Sequence, residues 1–172
     1  HNTKLGPALG GTRIYPYASF EAGLNDVLRL SSGMTYKSAA VKAGWGGGKS
    51  VIFADPTTEK TEDLLRAFGE AMTLLEGRYI CAEDVGCGMN DVKVIAEETP
   101  YVVGLPHPKS SGNPSPFTAW GVFCGIQAAF QKIFGGVSVE NKVIAIQGVG
   151  SVGEALAEFL FRRGARLIVS DI

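Results

Sequence analysis

Residues 44–50, "GWGGGKS", place Lys49 directly behind three glycines. A Gly-Lys-Ser ending is typical of a phosphate-binding P-loop, in which the lysine stands where a loop enters a helix. Here Ala43 occupies the position of the motif's first glycine, and the apolar run 51–54, closed by Asp-Pro, predicts a strand after the lysine. A nucleotide triphosphate site is therefore disfavoured, although it stays open as an alternative.

Two further ionisable residues stand close to glycines, Lys37 in "GMTYK" and Asp84 in "AEDVGCG". Lysine is a poor base at its free pKa of about 10.4, but burial or a neighbouring cation lowers the pKa of a lysine. The glycines before Lys49 permit close packing, and Lys37 is a possible neighbouring charge. Taken singly, each residue has an ordinary structural interpretation. Lys37 would be an exposed helical lysine, Lys49 a lysine whose apolar stem is buried, and Asp84 a turn residue. Together they predict a proton-handling face.

A second candidate site is the run 148–153, "GVGSVG", which has the G-x-G-x-x-G pattern. It follows a predicted strand at 142–147 and precedes a predicted helix, and a second strand then ends at Asp171, 18 residues after Gly153. In a dinucleotide-binding turn the first glycine allows the tight bend, the second lets backbone approach a pyrophosphate and the third lets helix pack on strand. The predicted cofactor-binding residues are Gly148, Gly150, Ser151, Val152, Gly153 and Asp171. Because the carboxylate of Asp171 would repel a 2′-phosphate, NAD is favoured over NADP.

The elements that must position these residues are predicted from periodicity and caps. Strands are expected at 8–14, 50–54, 78–82 and 101–104, and helices after Ser19, with a break near Gly33, after Thr61 and after Asn90. Residues 105–116 contain four prolines, three serines and one glycine, which predicts a loop and a domain boundary. Ser115 and Pro116 are expected as N-cap and first residue of a helix that runs to about residue 134.

Composition excludes several classes of protein. The net charge of -1 over 172 residues, without a basic run, argues against nucleic-acid binding. No apolar stretch approaches the ~18 residues of a membrane span, and two histidines do not indicate a metal site. Three cysteines without a C-x-x-C pair predict reduced thiols in a cytoplasmic protein. The chain starts without Met and ends within a predicted strand, so we expect it to be part of a longer protein.

Several motifs occur together and in order: "GPALGGTR", "GMTYKSAA", "GGGKSVI", "AEDVG", "SSGNPSP" and "VIAIQGVGSVG". Together they resemble the Glu/Leu/Phe/Val amino-acid dehydrogenase family across essentially the whole chain. The resemblance implies an α/β fold in which an N-terminal substrate domain, residues 1–115, precedes the start of a Rossmann-type dinucleotide-binding domain, residues 116–172. It also implies a homo-oligomer.

The same resemblance assigns roles to individual residues. Lys49 matches the catalytic lysine, Asp84 the aspartate that handles protons near the substrate amine, and Lys37 the lysine that pairs with the substrate carboxylate. Further matches are the pocket-lining pair Gly10 and Gly11 and a threonine near the nicotinamide, Thr118. The implied reaction is the reversible oxidative deamination of an amino acid by NAD, which yields a 2-oxo acid and ammonia.

Leu9 bears on the choice of substrate. Glutamate enzymes of the family carry a lysine at this position, and a carboxylate facing Leu9 instead would be buried unpaired at a cost of about several kcal/mol. Leu9, with Met34 one helical turn before Lys37, favours a branched-chain or other hydrophobic amino acid. Phenylalanine, valine or tryptophan dehydrogenases of the family remain alternatives, as does a non-catalytic NAD-binding module, in which Lys37, Lys49 and Asp84 would face different directions.

Overall fold

The computed structural model describes residues 1–106 and 112–172. Contacts divide the chain into two compact units, His1–Gly112 and Asn113–Ile172. Both combine helices with parallel strands, which confirms the predicted α/β class. Of the predicted loop 105–116, residues 107–111 lie outside the described residues.

The first unit is built on a parallel sheet around strand β1, Ala8–Tyr15. On this strand pair β2, Gly46–Gly47, β3, Ser50–Phe53, and β4, Tyr79–Ala82. The pairings of β2 and β3 with β1 share one register, in which Ala8 faces Gly46 and Thr12 faces Ser50. The strand predicted after Lys49 is therefore confirmed.

Three helices complete this unit: α1, Phe20–Ala40, α2, Glu62–Thr73, and α3, Met89–Glu98. The caps predicted at Ser19 and Thr61 are confirmed, since each side chain accepts a hydrogen bond from a backbone amide of the first turn. The break expected near Gly33 is wrong, because α1 continues through it. A glycine in a helix costs only about 1 kcal/mol relative to alanine, which a long helix tolerates.

Two short segments differ from their predictions. Helix α3 begins at Met89 rather than after Asn90, because Gly88 is its N-cap and donates its N–H to Asp91 Oδ2 at 2.8 Å. The strand expected at 101–104 is reduced to one bridge between Val102 and Cys81, held by backbone hydrogen bonds on both sides of Cys81. The segment still extends the sheet past β4.

The core of the first unit lies between the sheet and helices α2 and α3. Its buried members are Ile14, Ile52, Ala54, Leu65, Met72, Cys81, Cys87, Val92 and Ile95. Both cysteines are free thiols. Burial raises the pKa of Cys81 to about 11 and that of Cys87 to about 12, so both thiols stay protonated at neutral pH.

The second unit contains α4, Ser115–Phe134, β5, Val143–Gln147, α5, Ser151–Phe161, and β6, Arg166–Ser170. Helix α4 starts one residue earlier than predicted, with Pro114 as its N-cap and Ser115 already helical. Strands β5 and β6 are parallel, and α5 connects them in a βαβ unit. Its core is formed by Ala119, Phe123, Val139, Ile146, Leu156, Leu160 and Ala165. Within the described ranges, no helix combines the length and apolar character that crossing a membrane requires.

Candidate active site

The centre of the candidate site is an ion pair between Lys49 and Asp84, whose Nζ and Oδ2 atoms lie 3.1 Å apart. Lys49 stands between β2 and β3, and Asp84 follows β4. The register of the sheet places Lys49 and Ala82 beside Gly11 of β1. Only 7% of the Lys49 side chain is exposed, so most of this side chain is enclosed within the unit. A buried amine against a carboxylate is a proton-handling arrangement.

Gly11 of β1 leaves room for Asp84, and Gly10 leaves room for the backbone just before Lys49. A Cβ at Gly11 would lie 2.8 Å from the Cβ of Asp84 and 2.4 Å from the carbonyl oxygen of Glu83. A Cβ at Gly10 would lie 1.8 Å from the carbonyl oxygen of Gly48. Any larger residue at either position would push away the segments that carry Asp84 or Lys49.

The residues predicted to bind substrate lie on β1 and α1. The nearest side chain to the Cβ position of Gly10 is Met34, with its Cγ at 3.3 Å. Leu9 is half-buried, and Lys37 is exposed in the last turn of α1, three residues beyond Met34. The structure therefore brings Met34 to the glycine pair, while the carboxylate-binding role of Lys37 stays a prediction.

A second layer of charge, which the sequence analysis missed, surrounds Asp84. Arg13 donates from Nε to Asp84 Oδ2 and from Nη1 to Asp26 Oδ2, each at 2.9 Å. Tyr17 donates its hydroxyl to the same Asp26 oxygen at 2.6 Å. The alternation of side chains along β1 was a usable signal, because Arg13 stands two residues after Gly11 and thus on the same side of the strand.

The hydrogen bond from Tyr17 is the largest cause of a lowered pKa at Asp26; burial opposes it and Arg13 reinforces it. Burial raises the pKa of Tyr17 to about 12, and the hydrogen bond to Asp26 adds to the rise. At neutral pH Asp26 is therefore an anion and Tyr17 a neutral donor.

Beneath the glycine pair a buried hydroxyl network joins three strands. Tyr79 donates to the carbonyl oxygen of Gly10 at 2.7 Å, and its hydroxyl lies 3.0 Å from Ser50 Oγ. Ser50 in turn donates to Thr12 Oγ1 at 2.9 Å. Burial raises the pKa of Tyr79, so it remains a neutral donor. This network fixes β1 against β3 and β4, the strands on either side of the site.

In the second unit, the glycine run forms the turn between β5 and α5. Gly148 has a φ of +89°, which L side chains rarely adopt, and Gly150 is the N-cap of α5, ahead of Ser151 and Val152. A Cβ at Gly153 would lie 1.9 Å from the carbonyl oxygen of Gly148, so helix and turn are in close contact there.

Asp171 lies beside this turn and accepts the backbone N–H of Val149 at Oδ2, 2.6 Å away. This bond, with one from the Ile172 backbone, lowers the pKa of Asp171, which is ionised at neutral pH. Thr118, in the first turn of α4, is exposed and donates its hydroxyl to the Pro114 carbonyl at 3.1 Å. Within residues 1–106 and 112–172, no group of three His, Cys, Asp or Glu side chains is placed to hold a metal ion.

Residues 1–101 match the model of the Glu/Leu/Phe/Val dehydrogenase dimerisation domain. The chain belongs to the Glu/Leu/Phe/Val dehydrogenase family. It is 54% identical to a leucine dehydrogenase from Geobacillus stearothermophilus over an alignment of 173 positions, which covers all of this chain and 47% of that relative.

Two solved structures of this dehydrogenase family resemble the chain. L-tryptophan dehydrogenase from Nostoc punctiforme matches with a TM-score of 0.69 and 46% identity, over 100% of this chain and 48% of that one. The hetero-hexameric glutamate dehydrogenase from Thermus thermophilus, in its leucine-bound form, matches with a TM-score of 0.82 and 26% identity, over 99% of this chain and 44% of that one. The chain thus spans about half the length of the dehydrogenases it matches.

Proposed function

We propose that the intact protein is an NAD-dependent dehydrogenase that reversibly deaminates a branched-chain or other hydrophobic L-amino acid to its 2-oxo acid and ammonia. The observation that carries this proposal is the contact between the largely buried Lys49 side chain and Asp84, beside the glycine pair of β1. Membership of the Glu/Leu/Phe/Val dehydrogenase family supports it.

Four residues of the first unit have a chemical task in this proposed reaction. Lys49, in its neutral form, takes a proton from the water that adds to the imine carbon. Asp84 exchanges protons with the departing amine, and its contact with Lys49 allows a proton to pass between the two groups. Lys37 binds the substrate carboxylate as a point charge, and Met34 packs against the substrate side chain near Gly10.

The geometry of the glycine turn in the second unit supports the binding of a dinucleotide cofactor. The positive φ of Gly148 and the contact that excludes a side chain at Gly153 are what a pyrophosphate-binding turn requires. We propose that the amides at the start of α5 bind the pyrophosphate, that Asp171 binds the adenosine ribose and that Thr118 lies near the nicotinamide. When bound, NAD supplies the acceptor for the hydride from the substrate Cα. This βαβ unit is accordingly the start of the cofactor domain, and we place the boundary of the domains at residues 115–116.

The substrate class rests on Leu9 and on the relatives. Leu9 is half-buried and offers no charge to a side-chain carboxylate, which disfavours glutamate. The chain resembles a leucine dehydrogenase and a tryptophan dehydrogenase, whose names give hydrophobic amino acids as substrates. Leucine is our first choice, and phenylalanine, valine and tryptophan are the alternatives. We further propose a homo-oligomer, and a reducing cytoplasmic location that suits three free thiols.

A substrate panel tests the proposal. NADH formation is measured for the intact enzyme with L-leucine, L-valine, L-phenylalanine, L-tryptophan and L-glutamate. We expect the highest kcat/KM with leucine and the lowest with glutamate; a hydrophobic pocket discriminates by only ~1 to 3 kcal/mol per methylene, so valine should follow closely. NAD binding without turnover of any amino acid would instead establish the non-catalytic module.

The cofactor is tested separately with Asp171→Ser. Wild-type enzyme should prefer NAD, because the anionic Asp171 repels a 2′-phosphate, and the variant should gain activity with NADP relative to NAD. A wild-type preference for NADP would refute this assignment without affecting that of Lys49.

A further inference from the structure

We propose that Arg13 and Asp26 are positioning residues that set the pH range in which Lys49 works, by holding a second cation and a second anion against the Lys49–Asp84 pair. This inference rests on the proposed function, because it assigns to Lys49 the role of a base. It concerns Arg13, to which the quoted motif "GPALGGTR" assigned no role, and Asp26, which lies outside the quoted motifs.

The geometry makes Arg13 and Lys49 joint partners of one oxygen atom. Asp84 Oδ2 lies 2.9 Å from Arg13 Nε and 3.1 Å from Lys49 Nζ. Side chains at these positions are 7 to 23% exposed, so water screens their charges only in part. Arg13 therefore competes with Lys49 for the negative charge of Asp84.

Asp26, on helix α1, offsets the positive charge of Arg13. It binds Arg13 at 2.9 Å, and Tyr17 keeps it ionised by donating to the same oxygen. The charge of Lys49 is itself one cause that lowers the pKa of Asp26, so the two groups interact at a distance. The cluster thus contains two cations and two anions, and removal of either outer member leaves a net charge beside the Lys49 amine.

Other charged and titratable groups lie around this cluster. Arg29 lines a cavity with Asp26, and Tyr15 lines another with Arg13 and Asp26. Tyr17, Tyr79, Cys81 and Cys87 are neutral at neutral pH, because burial raises their pKa values. Lys60 and Asp91, which lie with Asp84 around one cavity, neutralise each other at 2.8 Å. Lys37 is exposed on α1. Arg13 and Asp26 pair directly within the cluster, so their charges lie next to the Lys49–Asp84 pair.

The expected effects of the two variants have opposite signs. In Arg13→Gln the cluster gains a net negative charge, Lys49 holds its proton more tightly, and the acid limb of the pH profile of kcat/KM moves up by about one pH unit. In Asp26→Asn the net charge becomes positive, and the limb moves down by about as much. The double variant restores neutrality, so its limb should return close to that of wild type.

A purely structural role would not produce this pattern. Loss of packing would lower kcat/KM in both variants without moving the limb, or would move it in one direction for both. Arg13→Lys keeps the charge and should restore the wild-type limb, even if turnover stays lower. Arg66→Gln is the control, because Arg66 also pairs with more than one carboxylate, and its partners Glu62, Glu97 and Glu98 lie outside the cluster. It should leave the limb in place.

A second readout does not depend on turnover. In intact protein labelled at lysine 13Cε, the Lys49 resonance, assigned by its loss in Lys49→Arg, is followed against pH by NMR. Its titration midpoint should rise in Arg13→Gln and fall in Asp26→Asn. Midpoints that do not move, or that move together, overturn this inference whether or not the enzyme deaminates amino acids. An inactive wild-type enzyme with the predicted opposite shifts would refute the proposed function alone.

Discussion

At the scale of single residues, the site depends on two glycines, which have no side chain to occupy the space around them. Gly10 and Gly11 stand in the central strand, where a side chain would collide with the backbone of Gly48 and Glu83. Their absence of side chains lets a buried lysine and an aspartate from neighbouring segments meet at 3.1 Å. Lys49 lies between two strands and Asp84 follows a third, so the pairing of these strands with β1 brings the charged groups together.

The first prediction concerns Lys49. Lys49→Ala should lower kcat by about 10²- to 10⁴-fold, the usual contribution of a general acid–base group, while NAD affinity is unchanged. Steady-state kinetics and cofactor titration measure the two effects. Lys93→Ala, which removes an exposed lysine that donates a hydrogen bond to Asn90, is the control. Normal turnover of Lys49→Ala would show that this amine is not the base.

The second prediction concerns Lys37 and the substrate carboxylate. Lys37→Ala should lower kcat/KM for leucine by about 10- to 100-fold, chiefly through KM, because a charge-assisted hydrogen bond contributes ~1.5 to 3 kcal/mol. A matched amine without the carboxylate should lose little. If leucine and the amine suffer equally, Lys37 does not recognise the carboxylate; an exposed lysine without this role predicts no kinetic change at all.

At the scale of elements, helix α5 is seated against the turn that precedes it. The contact between Gly153 and the Gly148 carbonyl allows no Cβ, and the positive φ of Gly148 directs the chain from β5 into the helix. This close seating brings the first amides of α5 to the end of β5, where an anion can bind.

The third prediction tests that seating. Gly153→Ala should destabilise the protein by about 1 to 3 kcal/mol, because backbone must move to admit the methyl group, and should weaken NAD binding. Gly125→Ala is the matched control: it lies within α4 with no atom near its Cβ position, and should be neutral or stabilise by up to about 1 kcal/mol. Urea midpoints measure both. Equal midpoints for the two variants would contradict the close contact at Gly153.

At the scale of the whole molecule, the chain is two units, each with its own hydrophobic core. The ion pair lies in the first unit and the glycine turn in the second. The charged cluster joins β1, α1 and the segment after β4 within the first unit. Its protonation should therefore affect the stability of that entire unit.

The fourth prediction follows from the lowered pKa of Asp26. A carboxyl group with a folded pKa below its unfolded value stabilises the fold above the unfolded value, near 3.8, and loses that contribution as the pH falls through the folded value. Tyr17→Phe removes the largest cause of this lowering, so acid unfolding should begin at a higher pH. Circular dichroism against pH measures the midpoint. Tyr36→Phe, which changes an exposed tyrosine, should leave it unchanged, and the same midpoint in both variants would contradict the role of Tyr17.

Sequence by itself determined the features whose causes lie within a few residues. The caps at Ser19 and Thr61, the strand after Lys49 and the turn from β5 into α5 follow from local hydrogen bonding and periodicity, and all were predicted. The helix start at Gly88 was missed although its cause is also local, because Asp91 was not recognised as its capping partner.

Only the tertiary structure decided which charges meet. Arg13 and Asp84 are 71 positions apart, and nothing near either residue in the chain indicates the other. Their contact requires β4 to pair with β1 so that Gly11 faces Ala82, and a shift of one residue would turn Arg13 to the opposite side of the sheet. The register of parallel strands is set by the packing of the whole unit, and the partners of Lys49 and Asp84 emerge only once that packing exists.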